Sequence, residues 1–198
     1  VSHAKQYSIN EICLPSAGNA GVSAAAYCKA AGIKCHVFLP ENIPTSFIAA
    51  TKEFDANLRL AGTTISEAAG QMRKEMTTNW YDLSTMKEPF RVEGKKTLGY
   101  EIAEQLNWTL PNVIIYPTGG GTGLIGMWKA FKEMIKLNWL KKGCKLPRMV
   151  VAQSSGCAPI VRSFEEGLLE YEPWNNSHTD ALGLNVPTPF GGAWILKT

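Results

Sequence analysis

Several features that mark specialised protein classes are missing from this sequence. No apolar run reaches the roughly 18 residues that a membrane-spanning helix needs, and Val1 to Gln6 has no apolar stretch of the signal-peptide kind. Lysine and arginine, 20 in all, exceed the 17 aspartates and glutamates by only 3, which argues against a nucleic-acid or membrane-surface partner. With 45% hydrophobic residues the 198-residue chain is predicted to be globular with a sizeable core.

Cysteine and histidine also lack the patterns of disulfide or metal sites. The five cysteines are odd in number and none belongs to a C-x-x-C pair, which argues against a disulfide framework and against structural zinc. The histidines have no carboxylate or cysteine at ligand spacing, so no metal site is predicted, and neither His36 nor His178 has an evident carboxylate partner for hydrolase chemistry. We predict reduced, mostly buried thiols and a cytoplasmic protein.

Short apolar segments alternate with segments of helical periodicity. The apolar segments are typical of buried strands: Glu11 to Leu14, Lys34 to Leu39, Ala56 to Leu60, Val113 to Tyr116 and Met149 to Ala152. The helical segments are Ala20 to Ala31 (closed by Gly32), Ser46 to Phe54, Thr64 to Thr77, Leu98 to Leu106 and Leu124 to Leu140. Such alternation is typical of right-handed βαβ units, so the predicted fold class is α/β with a largely parallel sheet.

Two irregular stretches bear on domain organisation. Charged residues, Pro89 and Gly94 interrupt the pattern between Met86 and Lys96, which predicts a boundary that separates a lobe of residues 9–86 from one of residues 87–198. The tail from Glu172 to Gly192 is rich in Pro, Asn and Gly and is predicted to have little regular structure. Because the chain begins with Val1 rather than Met, and its last element stops as soon as it begins, we expect a fold that is incomplete at both ends.

The first candidate site is the segment Pro15 to Gly21, which follows a predicted strand and opens a helix. Its glycines permit a tight turn, and Ser16, Asn19 and the unpaired amides of the helix start would favour an anion. In a parallel α/β sheet the carboxyl end of a strand is where ligands bind. A turn in which Ser16 or Asn19 merely caps the helix explains this segment equally well.

The second candidate is the segment Tyr116 to Gly126, in which a strand leads through a glycine-rich loop into a long helix. Glycine weakens a helix start, so five glycines in eight residues are hard to explain structurally and favour anion binding. No Gly-Lys-Ser/Thr follows, so this is not a Walker A loop. The spacing also satisfies G-x-G-x-x-G, but the next strand ends without the acidic residue of a nicotinamide site, which argues against a dehydrogenase.

These two loops, together with the segment Lys87 to Thr97, resemble the threonine synthases, a family within the pyridoxal-phosphate enzymes of the tryptophan synthase β type (fold type II). The matching stretches are Leu14 to Gly21, Lys87 to Thr97 and Tyr116 to Gly123, with further matches at Gln153 to Ile160 and Gly183 to Pro187. The resemblance implies a fold type II architecture of three-layer αβα lobes. Residues 9–86 would be the small mobile substrate-binding lobe and residues 87–198 part of the large lobe that binds the cofactor phosphate.

The resemblance also implies roles for individual residues. Asn19 would hydrogen-bond the 3′-oxygen of pyridoxal 5′-phosphate, and Arg91 would bind the phosphate of O-phosphohomoserine, for which a planar guanidinium is suited. A surface ion pair with Glu88 or Glu93 is the structural alternative for Arg91, and Lys95, Lys96 and Thr97 are expected to be structural. The substrate carboxylate would lie on Ser16, Ala17, Gly18, Asn19 and Ala20, and the cofactor phosphate on Gly119, Gly120, Gly121, Thr122 and Gly123.

The implied activity is the conversion of O-phospho-L-homoserine and water to L-threonine and phosphate, in an enzyme that is often a dimer. The family's Schiff-base lysine lies in a Ser-Phe-Lys-like motif shortly before the asparagine loop, and no such motif occurs here, since Lys5 is flanked by Ala4 and Gln6. We therefore expect no catalytic residue within this chain, a catalytic lysine upstream of Val1, and no activity of the chain alone. A serine/threonine dehydratase, another ammonia-lyase and a non-catalytic module that binds a phosphorylated metabolite are the alternatives.

Overall fold

The computed structural model describes every residue from Val1 to Thr198. The chain forms two compact units, Val1–Glu88 and Pro89–Thr198. Each unit has a sheet of its own, of four strands in the first unit and two in the second.

The first unit is built on a parallel sheet with strand order β3-β2-β1-β4. Its strands are β1 (Glu11–Pro15), β2 (Lys34–Leu39), β3 (Asn57–Leu60) and β4 (Trp80–Asp82), and its helices are α1 (Ser2–Gln6), α2 (Asn19–Ala31), α3 (Thr45–Glu53) and α4 (Ile65–Glu75). Helix α2 ends where predicted, because Gly32 adopts a left-handed conformation with φ +69° that glycine tolerates best.

Alternation of side chains along the strands separates two apolar layers in this unit. One face of the sheet packs with α2 and α3 in a cluster that includes Ile12, Leu14, Val37, Ala24 and Phe47. The opposite face packs Cys13 and Phe38 against Ala68 and Met72 of α4. The unit is therefore a three-layer αβα arrangement.

The second unit centres on two adjacent parallel strands and a pair of closely packed helices. Its elements are α5 (Phe90–Gln105), β5 (Val113–Pro117), α6 (Thr122–Lys136), β6 (Arg148–Ala152), α7 (Pro159–Glu165), a 3₁₀ turn (Leu182–Leu184) and α8 (Gly192–Leu196). Ile114 and Tyr116 of β5 face the cluster formed by Ala103 of α5 and by Met127 and Phe131 of α6.

The predicted α/β class, the parallel pairing and all five predicted strands are confirmed, but burial differs from prediction. Strand β3 is mostly exposed because it is the edge strand of its sheet and has solvent on one side. Strands β5 and β6 are only half buried, and Ile115 is 70% exposed on the face of β5 that points away from the helices. Strand β4, helix α1 and helix α7 were not predicted, because each is short and has little periodicity.

The segment Met86 to Lys96 was predicted to be irregular, yet α5 begins inside it at Phe90. Pro89 immediately precedes the helix, where its missing amide and restricted φ do no harm, and Gly94 is tolerated within it. Two of the charged residues on which that prediction rested, Glu93 and Lys96, lie within α5 and are paired with α6.

The thiols behave as predicted: all five cysteines are free, and all except Cys144 are buried. Burial raises the pKa of the Cys13 thiol to about 12, so this group stays protonated at neutral pH. No helix of the chain combines the length and the apolar character that crossing a bilayer requires.

Candidate functional site

The asparagine loop lies between the end of β1 at Pro15 and the start of α2 at Asn19, and Ser16 holds it together from within. The Ser16 hydroxyl is buried, accepts hydrogen bonds from the amides of Gly21 (2.9 Å) and Gly18 (3.2 Å), and donates to the Gly18 carbonyl oxygen. The Ser16 amide donates to the Phe38 carbonyl oxygen of β2 at 2.9 Å. The hydroxyl and the amide of Ser16 are therefore both engaged within the protein, and they shape the loop.

The outer side of this loop remains open to a ligand. Ala17, Asn19 and Ala20 are exposed, and the Asn19 side chain makes no hydrogen bond within the protein. The amides of Asn19 and Ala20, which open α2, likewise have no acceptor in the protein. Helix capping thus accounts for Ser16 but not for Asn19, whose amide group is available to bind.

The glycine loop connects β5, which ends at Pro117, to α6, which begins at Thr122. It is anchored at Thr118, a buried residue whose amide donates to the Ala152 carbonyl oxygen of β6 at 2.9 Å. Gly121 caps the helix with φ +92°, a conformation that side chains disfavour. The loop is therefore fixed to the sheet at one end and to α6 at the other.

Packing behind this loop explains the glycines for which the sequence offered no structural reason. A Cβ atom on Gly119 would lie 2.7 Å from the Gly183 carbonyl oxygen, and one on Gly121 would lie 2.5 Å from Cδ1 of Ile195. A Cβ on Gly123 would overlap the Tyr116 hydroxyl. The glycines therefore permit close approach of the C-terminal segment and of Tyr116.

The front of the loop has the chemistry of a phosphate site. The six consecutive backbone amides from Gly119 to Leu124 donate to no carbonyl or side chain of the protein, and Gly121 contributes no capping side chain. A helix N-terminus that presents several unpaired amides binds anions through hydrogen bonds and through the helix dipole. The residues present thus fit the phosphate of the expected cofactor.

Arg91 lies in the first turn of α5 and is half buried. The structural alternative named for it is an ion pair with Glu88 or Glu93. The Glu93 carboxylate is paired with Lys96 at 2.7 Å and with Lys129, whereas Glu88 is buried and both it and Arg91 have interactions within the protein. The expected structural roles of its neighbours are visible: Lys96 bridges α5 to Glu133 of α6 at 2.7 Å, and the Thr97 hydroxyl donates to the Gly94 carbonyl oxygen. Arg91 itself stays a candidate for the substrate phosphate.

The ion cluster between α5 and α6 shifts the pKa values of its members. Hydrogen bonds from Lys129 and Lys96 hold the pKa of Glu93 below its usual value, and the hydrogen bond from Lys96 does the same for Glu133. Burial by itself lowers the pKa of Lys96, but hydrogen bonds to Glu133 and Glu93 outweigh it, so the net pKa of Lys96 is raised. The cluster is therefore fully ionised at neutral pH and joins the two helices.

Lys96→Met is expected to destabilise the protein by about 1–2 kcal/mol at pH 7, because Glu133 loses its close partner and Glu93 retains only Lys129. The Lys129 side chain is 45% exposed, against 15% for Lys96. Lys129→Met is therefore expected to lower the free energy of unfolding by less than about 1 kcal/mol. Carboxylates with lowered pKa values stabilise the fold above their unfolded-state value of 4.5 and lose this effect as pH falls through the lower folded-state values. The difference in urea-unfolding free energy between Lys96→Met and wild type should therefore become smaller as pH is lowered below 4.5, and a difference that does not change between pH 7 and pH 2 would contradict this account.

One residue beside the glycine loop was missed from sequence. Gln153 follows β6 and donates from Nε2 to the Thr118 carbonyl oxygen at 3.1 Å, so it touches the residue before the glycine loop. The signal was available, since a polar residue at the carboxyl end of the neighbouring strand is a general mark of a ligand-side position. The stretch Gln153 to Ile160 matches the resembled family, but no role was predicted for the Gln153 side chain.

The expectation that His36 lacks a carboxylate partner is wrong. Its Nε2 lies 2.8 Å from Oε2 of Glu11 on the adjacent strand, and its ring stacks on Trp80 with centroids 3.6 Å apart. The hydrogen bond with His36 is the main reason that the pKa of Glu11 is lowered. Sequence spacing could not reveal the contact, because the register of β1 and β2 decides which residues are neighbours.

No group of three or more His, Cys, Asp or Glu side chains is arranged to hold a metal ion.

Comparison with known proteins extends these observations. The family model described as "Pyridoxal-phosphate dependent enzyme" matches residues 1–197. The chain is 30% identical to a threonine synthase of Methanocaldococcus jannaschii over 190 residues, which is 96% of this chain and 46% of that protein. It is 32% identical to a threonine synthase of Halalkalibacterium halodurans over 164 residues, or 82% of this chain and 45% of that protein. The chain thus spans about half the length of the curated relatives it matches.

Solved structures share the fold at lower identity. A fungal L-serine ammonia-lyase from Rhizomucor miehei superposes with a TM-score of 0.75 at 22% identity, covering 92% of this chain and 56% of that one. The processed threonine deaminase isoform 2 from Solanum lycopersicum gives 0.73 at 21% identity, covering 96% of this chain and 50% of that one. These likenesses confirm the fold type II architecture. The chain therefore belongs to the pyridoxal-phosphate dependent enzymes, and pyridoxal phosphate is the cofactor of its family.

Proposed function

We propose that this protein acts as a threonine synthase, converting O-phospho-L-homoserine and water to L-threonine and phosphate. The observation that carries the proposal is the glycine loop, whose six backbone amides from Gly119 to Leu124 have no acceptor in the protein and suit a phosphate, in a chain that is 30% and 32% identical to two threonine synthases. Arg91, in the segment that resembles threonine synthase most specifically, supplies a second phosphate-binding group, this time for the substrate.

The proposed roles follow the chemistry of each group. The amides of Gly119 to Gly123 bind the cofactor phosphate, where bound pyridoxal phosphate would supply an electron sink for bonds broken at the substrate. The free side chain of Asn19 hydrogen-bonds the 3′-oxygen of the cofactor ring. The outer amides of the asparagine loop bind the substrate carboxylate, and Ser16 contributes by holding that loop in shape.

The catalytic lysine is proposed to lie N-terminal to Val1. The one lysine that precedes the asparagine loop, Lys5, lies in the short helix α1 between Ala4 and Gln6, away from any Ser-Phe-Lys-like context. In the same proposal residues 9–86 serve as a mobile substrate-binding lobe, residues 87–198 belong to the lobe that binds the cofactor phosphate, and the enzyme is a homodimer. Closure of a mobile lobe would exclude water from the reacting groups.

A serine or threonine deaminase is the second candidate. The observation in its favour is that the solved structures with TM-scores of 0.73 and 0.75 carry the names threonine deaminase and L-serine ammonia-lyase. Such an enzyme would use the same two loops but would have no substrate phosphate to bind. Arg91 therefore discriminates between the two functions.

The test uses the full-length protein loaded with pyridoxal phosphate. We expect it to release phosphate and form threonine from O-phosphohomoserine, and to convert threonine and serine to keto acids more slowly by at least a factor of 100. Arg91→Ala should lower kcat/KM for O-phosphohomoserine by a factor of at least 100, equivalent to about 3 kcal/mol of transition-state stabilisation. Arg91→Lys should recover part of this loss, because a lysine retains the charge but not the planar fork.

Arg73→Ala, a change in the last turn of α4, serves as the matched loss of an arginine and should leave turnover unchanged. Rapid deamination of threonine or serine, at a rate that Arg91→Ala does not change, would establish the deaminase instead.

Borohydride reduction followed by intact-mass analysis of the full-length protein and of the 198-residue chain tests the proposed location of the catalytic lysine. We expect the added mass of the cofactor on the longer protein alone. A label on a lysine of the shorter chain would refute the proposed location.

A further inference from the structure

Gln153 connects two loops through opposite ends of one side-chain amide. Its Nε2 donates to the Thr118 carbonyl oxygen at 3.1 Å, directly before the glycine loop. Its Oε1 accepts from the amides of Ile160 (2.9 Å) and Val161 (3.1 Å) in the first turn of α7. The orientation of the side-chain amide is therefore unambiguous, because one end meets two donors and the other meets an acceptor.

The contact with Thr118 determines where the next amide points. The Thr118 carbonyl and the Gly119 amide belong to one peptide unit, which is planar and trans, so the two groups point in opposite directions. Fixing the Thr118 oxygen on Gln153 therefore turns the Gly119 amide, which has no acceptor in the protein, away from Gln153. Gly191 does the same for the peptide between Gly120 and Gly121, since its amide donates to the Gly120 carbonyl oxygen at 3.1 Å and thereby orients the Gly121 amide.

Glycine residues cannot hold this arrangement by themselves. A loop of three consecutive glycines, Gly119 to Gly121, has access to many backbone conformations, and unpaired amides repel one another when they converge. An outside group must therefore select the conformation before the phosphate arrives, which reduces the entropy lost on binding. Gln153 is the side chain that makes such a contact with the start of the loop.

We propose that Gln153 is a positioning residue of the glycine loop, because it orients the Gly119 amide toward the cofactor phosphate. Its own side chain is held in place by the amides of Ile160 and Val161 in α7. The inference rests on the proposed phosphate site at Gly119 to Gly123 and adds the residue that preorganises it. Gln153 has no contact with the phosphate in this role and acts through the Thr118 carbonyl group.

Gln153→Glu distinguishes the donor function of the side-chain amide from its acceptor function. The carboxylate keeps the shape and still accepts hydrogen bonds from Ile160 and Val161, but it cannot donate to Thr118 and places negative charge against the carbonyl oxygen. Gln153→Met removes both functions. Gln105→Glu adds the same charge on the exposed end of α5 and serves as the control.

The measurement is the affinity of the full-length protein for pyridoxal phosphate divided by its affinity for pyridoxal, which isolates the contribution of the phosphate group. We expect this ratio to fall by a factor of 10 to 100 in Gln153→Glu and in Gln153→Met, and to be unchanged in Gln105→Glu. Amide hydrogen exchange should stay slow at Ile160 and Val161 in Gln153→Glu and become fast there in Gln153→Met. Because a protonated carboxyl group can donate, lowering the pH from 8 to 5 should raise the ratio of Gln153→Glu relative to wild type.

A Gln153→Glu protein that retains the wild-type ratio would overturn the positioning role while leaving the phosphate site intact. A wild-type protein that binds pyridoxal as tightly as pyridoxal phosphate would overturn both. If the affinity ratio falls in the Gln153 variants but the wild-type protein forms no threonine, the positioning role of Gln153 is supported and only the proposed synthase activity is refuted. These outcomes keep the inference separate from the proposed reaction.

Discussion

Gly99→Ala is expected to destabilise the protein by about 1–3 kcal/mol, although alanine is a better helix former than glycine. Gly99 lies in α5 where this helix crosses α6, and a Cβ atom there would come within 2.8 Å of the Ala130 Cβ and 3.2 Å of the Met127 carbonyl oxygen. The neighbouring contact is similar, since a Cβ on Gly126 of α6 would lie 2.8 Å from the Lys95 Cβ. The two helices can therefore accommodate alanine only by moving apart.

Gly94→Ala provides the matched control within the same helix. Position 94 is exposed, and a Cβ atom there would meet nothing within 4 Å. This change should stabilise the protein by about 0.5–1 kcal/mol through helix propensity alone. Urea unfolding followed by tryptophan fluorescence measures both effects on one scale.

A second variant tests the proposed cause directly. Removing the opposing methyl group in Gly99→Ala/Ala130→Gly should make the combined loss smaller than the sum of the two single losses, because the shortest contact disappears. Additive losses, or a Gly99→Ala protein as stable as Gly94→Ala, would show that the helices have room to adjust.

Gly119→Ala is expected to reduce the affinity for the cofactor phosphate by a factor of at least 10. The new Cβ would lie 2.7 Å from the Gly183 carbonyl oxygen and 3.0 Å from Cγ2 of Val186. That oxygen cannot retreat easily, because the turn around it is closed by hydrogen bonds from the Leu184 amide to Ala181 and from the Val186 amide to Leu184, both 2.8 Å. The glycine loop must move instead, and its amides are then no longer placed to donate to one phosphate group.

Gly183→Ala is the control on the other side of this contact, since a Cβ atom there would meet nothing within 4 Å. Affinities for pyridoxal phosphate and pyridoxal, measured by absorbance titration of the full-length protein, should show the loss in Gly119→Ala and none in Gly183→Ala. Equal losses in the two variants would mean that the turn, rather than the front of the loop, controls cofactor binding. Unchanged binding in Gly119→Ala would remove the loop from the phosphate site.

Local sequence signals predicted the repeating strand and helix units well. Gly32 ended α2 because its left-handed conformation is a local property of the chain. Thr64 and Glu67 began α4 through reciprocal hydrogen bonds between residues three apart. The start of α5 was misjudged because the charges of Glu93 and Lys96 indicate a loop until their partners Lys129 and Glu133 on another helix are known.

Features of the two candidate loops likewise divide into those that local sequence predicts and those that depend on tertiary contacts. The sequence by itself determined that two strand-to-helix loops, at Ser16 to Gly21 and at Thr118 to Gly123, present unpaired amides, because hydrogen bonding at a helix start depends on residues within one turn. The tertiary structure decided that the Ser16 hydroxyl is hydrogen-bonded within its own loop, that Gly119 and Gly121 make room for Gly183 and Ile195, and that Gln153 contacts the Thr118 carbonyl oxygen. The physical reason is sequence separation: these contacts join residues that only the pairing of strands and the packing of the C-terminal segment bring together.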